Sequence, residues 1–141
     1  MVSLSDYDET IYEEGEGSNR MLESLDTFEK TINGEWFSKT PILLVYNKRD
    51  LLTKKIEKED KLKDVFPKYK GGQDSNAAVE FITSTFDEKI QGNKDRIEKV
   101  ITNIILPDQV EECLNFVQSK APNLTLRKIS DLDPSELNNK K

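Results

Sequence analysis

Ile42-Leu43-Leu44-Val45-Tyr46-Asn47-Lys48-Arg49-Asp50 is the stretch whose reading decides the fold. Its first five residues are apolar or aromatic and read as a buried strand. N-K-x-D follows at once, where open α/β sheets bind ligands, just beyond a strand's carboxyl end. These residue types suit a guanine base. The Asp50 carboxylate can accept hydrogen bonds from both N1–H and the exocyclic amine of guanine. Adenine offers no such donor pair and would leave a buried acceptor unpaired. The Asn47 amide can reach the N7/O6 edge and tie neighbouring loops together, while the stem of Lys48 can cover the flat face of the base. A polar turn after a core strand is the plain alternative.

Length and composition narrow the choice. The 141 residues allow one domain with a proper core. Only 35% of residues are hydrophobic and 34% are charged, so part of the chain is expected to stay unpacked. A formal net charge of −6, with no Lys/Arg stripe interleaved with aromatics, argues against nucleic acid as a partner. No segment approaches the roughly 18–20 consecutive apolar residues of a membrane span. No secretory leader is legible, and Val2 stands where myristoylation needs glycine. A single cysteine precludes an internal disulfide framework, and the absence of histidine precludes Ser-His and Cys-His hydrolysis. The expected location is the cytoplasm.

Along the chain, Val2-Ser3-Leu4 reads as the tail of a strand and residues 5–17 as an acidic exposed loop. Met21, Leu22, Leu25, Phe28 and Ile32 recur at helical spacing, and Asn33-Gly34 supplies a stop. Trp36-Phe37 is expected to pack under this helix. The Lys/Glu-rich residues 51–63 suggest a short exposed helix and loop, with the charges on a solvated face. A second helix is expected over about 75–90. A third is expected after Asp95, from the i, i+3, i+4, i+7, i+8 stripe of Ile97, Val100, Ile101, Ile104 and Ile105. Pro107 should break it, with a turn or two resuming around Val110, Cys113, Leu114 and Val117. Residues 119–141 read as a disordered polar tail following a domain over 1–118. One convincing strand among several helices would leave both its edges open, an aggregation hazard.

Five blocks, taken in order, carry a resemblance. They are Ser3-Leu4-Ser5-Asp6-Tyr7-Asp8; Asn19-Arg20-Met21 with Glu23-Ser24; Trp36-Phe37 leading to Asn47-Lys48-Arg49-Asp50-Leu51; Phe66-Pro67-Lys68-Tyr69 with Ala77-Ala78-Val79-Glu80-Phe81-Ile82 and Phe86; and Val100 to Leu106, ending near Cys113. Over about residues 2–116 the chain resembles the C-terminal half of the α subunit of heterotrimeric G proteins, truncated or degenerate. The resemblance implies an α/β, partial Ras-like GTPase fold, a mostly helical remnant with one or two parallel strands, lacking the phosphate-loop half and the sixth strand. Ile82-Thr83-Ser84-Thr85 could be mistaken for the guanine loop of that strand, but its apolar period is helical.

The resemblance further implies GTP or GDP as ligand, with Asn47, Lys48 and Asp50 on the base. It implies a βγ dimer, a G-protein-coupled receptor and an effector as partners, placing the chain at the inner face of the plasma membrane through them. Glu23 matches a glutamate that pairs with a switch arginine in the GTP state. Trp36 and Phe37 fall near an effector surface, and Cys113 matches the cysteine that pertussis toxin modifies in some members. Departures from the family pattern weigh as much. This sequence has no G-x-x-x-x-G-K-[ST], no D-x-x-G with a following glutamine and no switch arginine, the parts that supply rate enhancement in phosphoryl transfer. The expectation is therefore a G-protein α-like signalling chain that neither binds nor hydrolyses GTP alone and takes no Mg²⁺. The alternatives are a nucleotide-independent module for a receptor, effector or βγ partner, and a fragment of a complete active GTPase.

Overall fold

The computed structural model describes residues 1–13, 16–59 and 61–103, with residues 111, 115, 118 and 119. Pro107, Cys113 and residues 120–141 of the polar tail lie outside the described residues. The decisive stretch forms strand β4 (Ile42–Asn47) at the centre of a three-stranded parallel sheet. One neighbour is β1 (Val2–Ser3), in the register Val2↔Tyr46 and Ser3↔Asn47. The other is β5 (Ile97–Ile101), running from Ile42↔Ile97 to Tyr46↔Ile101. The fold class is α/β, a small parallel sheet with helices, consistent with a partial Ras-like GTPase fold.

The connections explain the layering. Between β1 and β4 come a 3-10 turn (Leu4–Asp8), a hairpin of β2 (Thr10–Glu13) and β3 (Glu16–Asn19), and helix α1 (Arg20–Ile32). Between β4 and β5 come α2 (Arg49–Lys58), the single turn α3 (Leu62–Val65) and α4 (Ser75–Glu88). Both crossovers step the same way across the order β1-β4-β5, so right-handed connections place α1 and α4 on one face. There Phe86 of α4 meets Phe28 of α1 at 5.3 Å and Tyr46 of β4 at 5.8 Å, both edge-on. Leu44, Tyr46, Met21, Ile32, Ile82 and Phe86 share this core.

Local chemistry sets the helix ends. The Asn19 side chain accepts from the Met21 and Leu22 N–H groups, and Asp74 caps α4 in the same way. At the end of α1, Asn33 stays right-handed at φ −96°, and no glycine in a left-handed turn is used. Its amide instead donates to the Glu29 and Lys89 carbonyls and its oxygen accepts from the Gln91 N–H, tying α1 to the end of α4.

Several expectations are overturned. Residues 97–101 form strand β5, so the segment after Gly92 does not begin a helix, and a parallel strand stands where the sixth was expected to be missing. Ile97 and Ile101 share the α4-facing side with Lys99, whose ammonium pairs with Asp87 on α4. Ile97 and Ile101 thus satisfy a period of two once a partner strand lies alongside, with Val100 on the other face. Both edges of β4 are consequently paired. The acidic loop contains a hairpin, and α2 buries Leu52 and Ile56 completely beneath its solvated charges. Finally, Trp36 does not pack under α1; it is 91% exposed.

Phe86→Ala should cost about 3–5 kcal/mol in a urea titration, because a fully buried ring contacting two elements leaves a cavity. Ile101→Thr, at an exposed position, should stay within about 0.5 kcal/mol.

Candidate functional site

The carboxyl end of β4 turns into α2 through Lys48, the one non-glycine residue with positive φ among the described residues (φ 61°, ψ 38°). A left-handed lysine is uncommon, and such conformations cluster where a turn serves a site. The turn sets Asn47 at the strand end, Lys48 at the N-cap position and Asp50 in the first helical turn. Lys48 offers no side-chain cap to α2. The Asp50 N–H, which has no partner within the helix, instead donates to Asn103 Oδ1 at 3.0 Å. Arg49 bonds the Asn76 side chain at 3.0 Å, joining the starts of α2 and α4.

Asn103 reaches Asp50 because Thr102 prolongs the β4–β5 ladder. The buried Thr102 donates its N–H to the Tyr46 carbonyl at 2.8 Å. Sequence reasoning missed Asn103, since it fell in the expected third helix. Its only signal was an amide directly after a β-branched run.

Asp50 Oδ1 is buried and has no hydrogen-bond partner among the described residues. Buried carboxylate oxygens are normally satisfied, so an acceptor held in place by backbone and unpaired has the chemistry a two-donor base edge requires. The residues present therefore fit a guanine base. Among the described residues no group of three or more His, Cys, Asp or Glu could hold a metal ion.

Lys48 is drawn toward Asp6 of the 3-10 turn, Nζ to Oδ1 at 3.4 Å. Burial alone would raise the Asp6 pKa. The Ser3 hydroxyl at 2.6 Å, the Lys48 charge and the Ser5 hydroxyl outweigh it and hold the carboxyl below its ordinary value. Arg20 approaches the other oxygen at 3.7 Å, and Lys55 bonds the Ser5 carbonyl at 2.8 Å. The loops after β1 and β4 are thereby fastened to each other.

The remaining candidates lie elsewhere. Glu23, in the first turn of α1, is half-buried and accepts from the Ser18 hydroxyl, so it is more constrained than a plain exposed helix carboxylate. It borders a cleft of about 470 Å³ that also involves Met1, Val2, Arg20, Phe28 and Leu44. Trp36 and Phe37 precede β4 and so lie toward the opposite end of that six-residue strand from the Lys48 turn. Cys113 lies outside the described residues. No helix among them is long and apolar enough to cross a membrane.

A family model described as the G-protein alpha subunit matches residues 1–121. The chain is 45% identical over 91 residues to the guanine nucleotide-binding protein alpha-8 subunit of Dictyostelium discoideum, covering 64% of this chain and 22% of that protein. It is 44% identical over 87 residues to the alpha-3 subunit of Ustilago hordei, covering 62% and 24%. It is 36% identical over 128 residues to the alpha-2 subunit of Caenorhabditis briggsae, covering 91% and 35%. The chain thus spans between 22% and 35% of the length of these curated relatives.

Asn103→Ala should cost about 1 kcal/mol, the usual worth of an N-terminal cap, measured by chemical denaturation. Because the Asp6 pKa is lowered on folding, its contribution is full above the ordinary 3.8 and is lost as pH falls through the folded value. Asp6→Asn should therefore flatten the acid limb of the stability curve below about pH 4.

Proposed function

Because the chain belongs to the G-protein α subunit family, we propose that this stretch corresponds to the C-terminal half of the family and carries the guanine-reading wall of a nucleotide site without the parts that grip phosphate. In this reading Asp50 accepts from the base N1–H and exocyclic amine, Asn47 reaches the N7/O6 edge, and the Lys48 stem covers the base. The observation that supports it is the buried, unpaired Asp50 Oδ1, held in place by the bond from its own N–H to Asn103.

GTP or GDP is the family ligand, and the 141 residues contain no phosphate-binding loop, switch arginine or switch glutamine. Base contacts alone forfeit the charge-assisted bonds that phosphates make with a backbone cradle, a lysine and Mg²⁺. The stretch by itself is accordingly a signalling-type α-like chain with weak nucleotide affinity and no hydrolysis. Its proposed role is coupling a receptor and βγ dimer to an effector, at the inner face of the plasma membrane through those partners, as part of the family's larger framework.

A second reading, a partner-binding module independent of nucleotide, is favoured by the loop before β4. There Trp36 is exposed while Arg96 donates to the Ile32, Phe37 and Thr40 carbonyls and holds the loop in place. Trp36, Phe37, Glu23 and Cys113 are the partner-facing residues of this proposal.

Titration with a fluorescent guanine nucleotide should give no saturable binding in the micromolar range, with or without Mg²⁺. Ligand-detected NMR at millimolar guanosine should nevertheless show contact that adenosine lacks and that Asp50→Ala abolishes. Micromolar, Mg²⁺-dependent binding by the chain alone would overturn the phosphate-deficient part. Equal contact by both nucleosides would overturn the base-reading part.

A further inference from the structure

A groove of about 310 Å³ lies between α1 and α4 and is bounded by the loop at residues 66–68. Its apolar lining is Leu25, Phe66, Pro67 and Phe81, and Phe81 stands edge-on to Phe66 at 5.7 Å and to Tyr69 at 5.3 Å. Ser84 and Thr85 also border it, but both hydroxyls donate to the Phe81 carbonyl at 2.8 Å, so neither demands a polar guest. Lys68 and Glu88 mark its rim, and neither forms an ion pair among the described residues.

The groove's shape and charge have a counterpart on the same molecule. Trp36, the single tryptophan of the sequence, is 91% exposed and flanked by Glu35 and Lys39, which also form no ion pair among the described residues. Its loop is pinned on both sides: the Phe37 N–H bonds the Gly34 carbonyl at 3.0 Å, and Arg96 Nη1 bonds the Phe37 carbonyl at 2.9 Å. A pre-ordered aromatic anchor loses little freedom on docking, which is the usual character of an interface hot spot.

We propose that the α1–α4 groove receives Trp36 of a second copy of this chain, with Glu35 facing Lys68 and Lys39 facing Glu88. The opposite charges beside the ring and on the rim select a second copy over an unrelated apolar guest. Donor and groove occupy different patches, so two copies exchanging their tryptophans around a two-fold axis close a dimer with two identical contacts. One aromatic anchor per contact is far below the roughly 1,000 Å² of a stable interface, so the association is weak.

The lone tryptophan reports on its own burial. On raising the full chain from about 1 µM to about 1 mM, the span of weak association, Trp36 emission should move to shorter wavelength in step with a rise in sedimenting mass. Trp36→Ala should stay monomeric throughout. Lys68→Glu with Glu88→Lys, and separately Glu35→Lys with Lys39→Glu, should each abolish the shift, and mixing the two double variants should restore it. All four positions lie at the groove rim or beside the exposed ring, so the fold is kept. Constant long-wavelength emission with monomeric mass at every concentration would overturn the proposal. So would association that survives Trp36→Ala, or charge-reversed variants that associate as the natural chain does.

Discussion

The 2.8 Å hydrogen bond from the Thr102 N–H to the Tyr46 carbonyl is the constraint on which the rest of the site depends. It carries the parallel pairing of β4 and β5 one residue past the strand and delivers Asn103 to the first turn of α2. Lys48, in a left-handed conformation, turns the chain sharply and leaves the helix uncapped from its own side. The missing acceptor comes from Asn103, which lies 53 residues further along. A local turn is thus completed by a long-range strand pairing, and the position of the Asp50 carboxylate becomes a property of the whole sheet. Anything that loosens β5 loosens the hold on Asp50.

Local signals were legible where the periodicity had a single solution. The apolar run at 42–46 could only be a core strand, Asn19 before a helical stripe marked the start of α1, and α4 followed from its own spacing. Segment 97–101 had two solutions. Ile97, Val100 and Ile101 fit a helical stripe, and Ile97, Lys99 and Ile101 fit an alternating strand once Lys99 has Asp87 to pair with. The choice is made by β4 alongside, and tertiary pairing overrides spacing in such cases. The hairpin of β2 and β3 was hidden for a related reason: apart from the adjacent Ile11 and Tyr12 its residues are polar or glycine, and a pairing that buries little leaves no alternating apolar pattern. Asn103 was hidden because its importance comes from Asp50, far away in sequence.

The site residues named from the N-K-x-D motif are brought together at one end of β4, whereas Trp36 and Phe37 stand at the other. A parallel sheet with all connections on one face naturally separates its two ends: ligand-reading turns gather at the carboxyl ends of the strands. The loops entering the strands lie at the opposite end. Membership in the G-protein α subunit family accords with that division. Hydrogen bonds from the Asn33 and Arg96 side chains fasten the entering end, as the Asn103 side chain fastens the carboxyl end.

The central structural claim is that residues 97–103 pair with β4 and hold Asp50. Amide exchange and through-space contacts measured by NMR on the full chain address it directly. Slow exchange at the Thr102 and Asp50 amides, cross-strand contacts between β4 and β5, and a contact from the Asp50 amide to the Asn103 side chain are the predicted result. Helical contacts between residues three apart over 97–103, with a rapidly exchanging Asp50 amide, would contradict it.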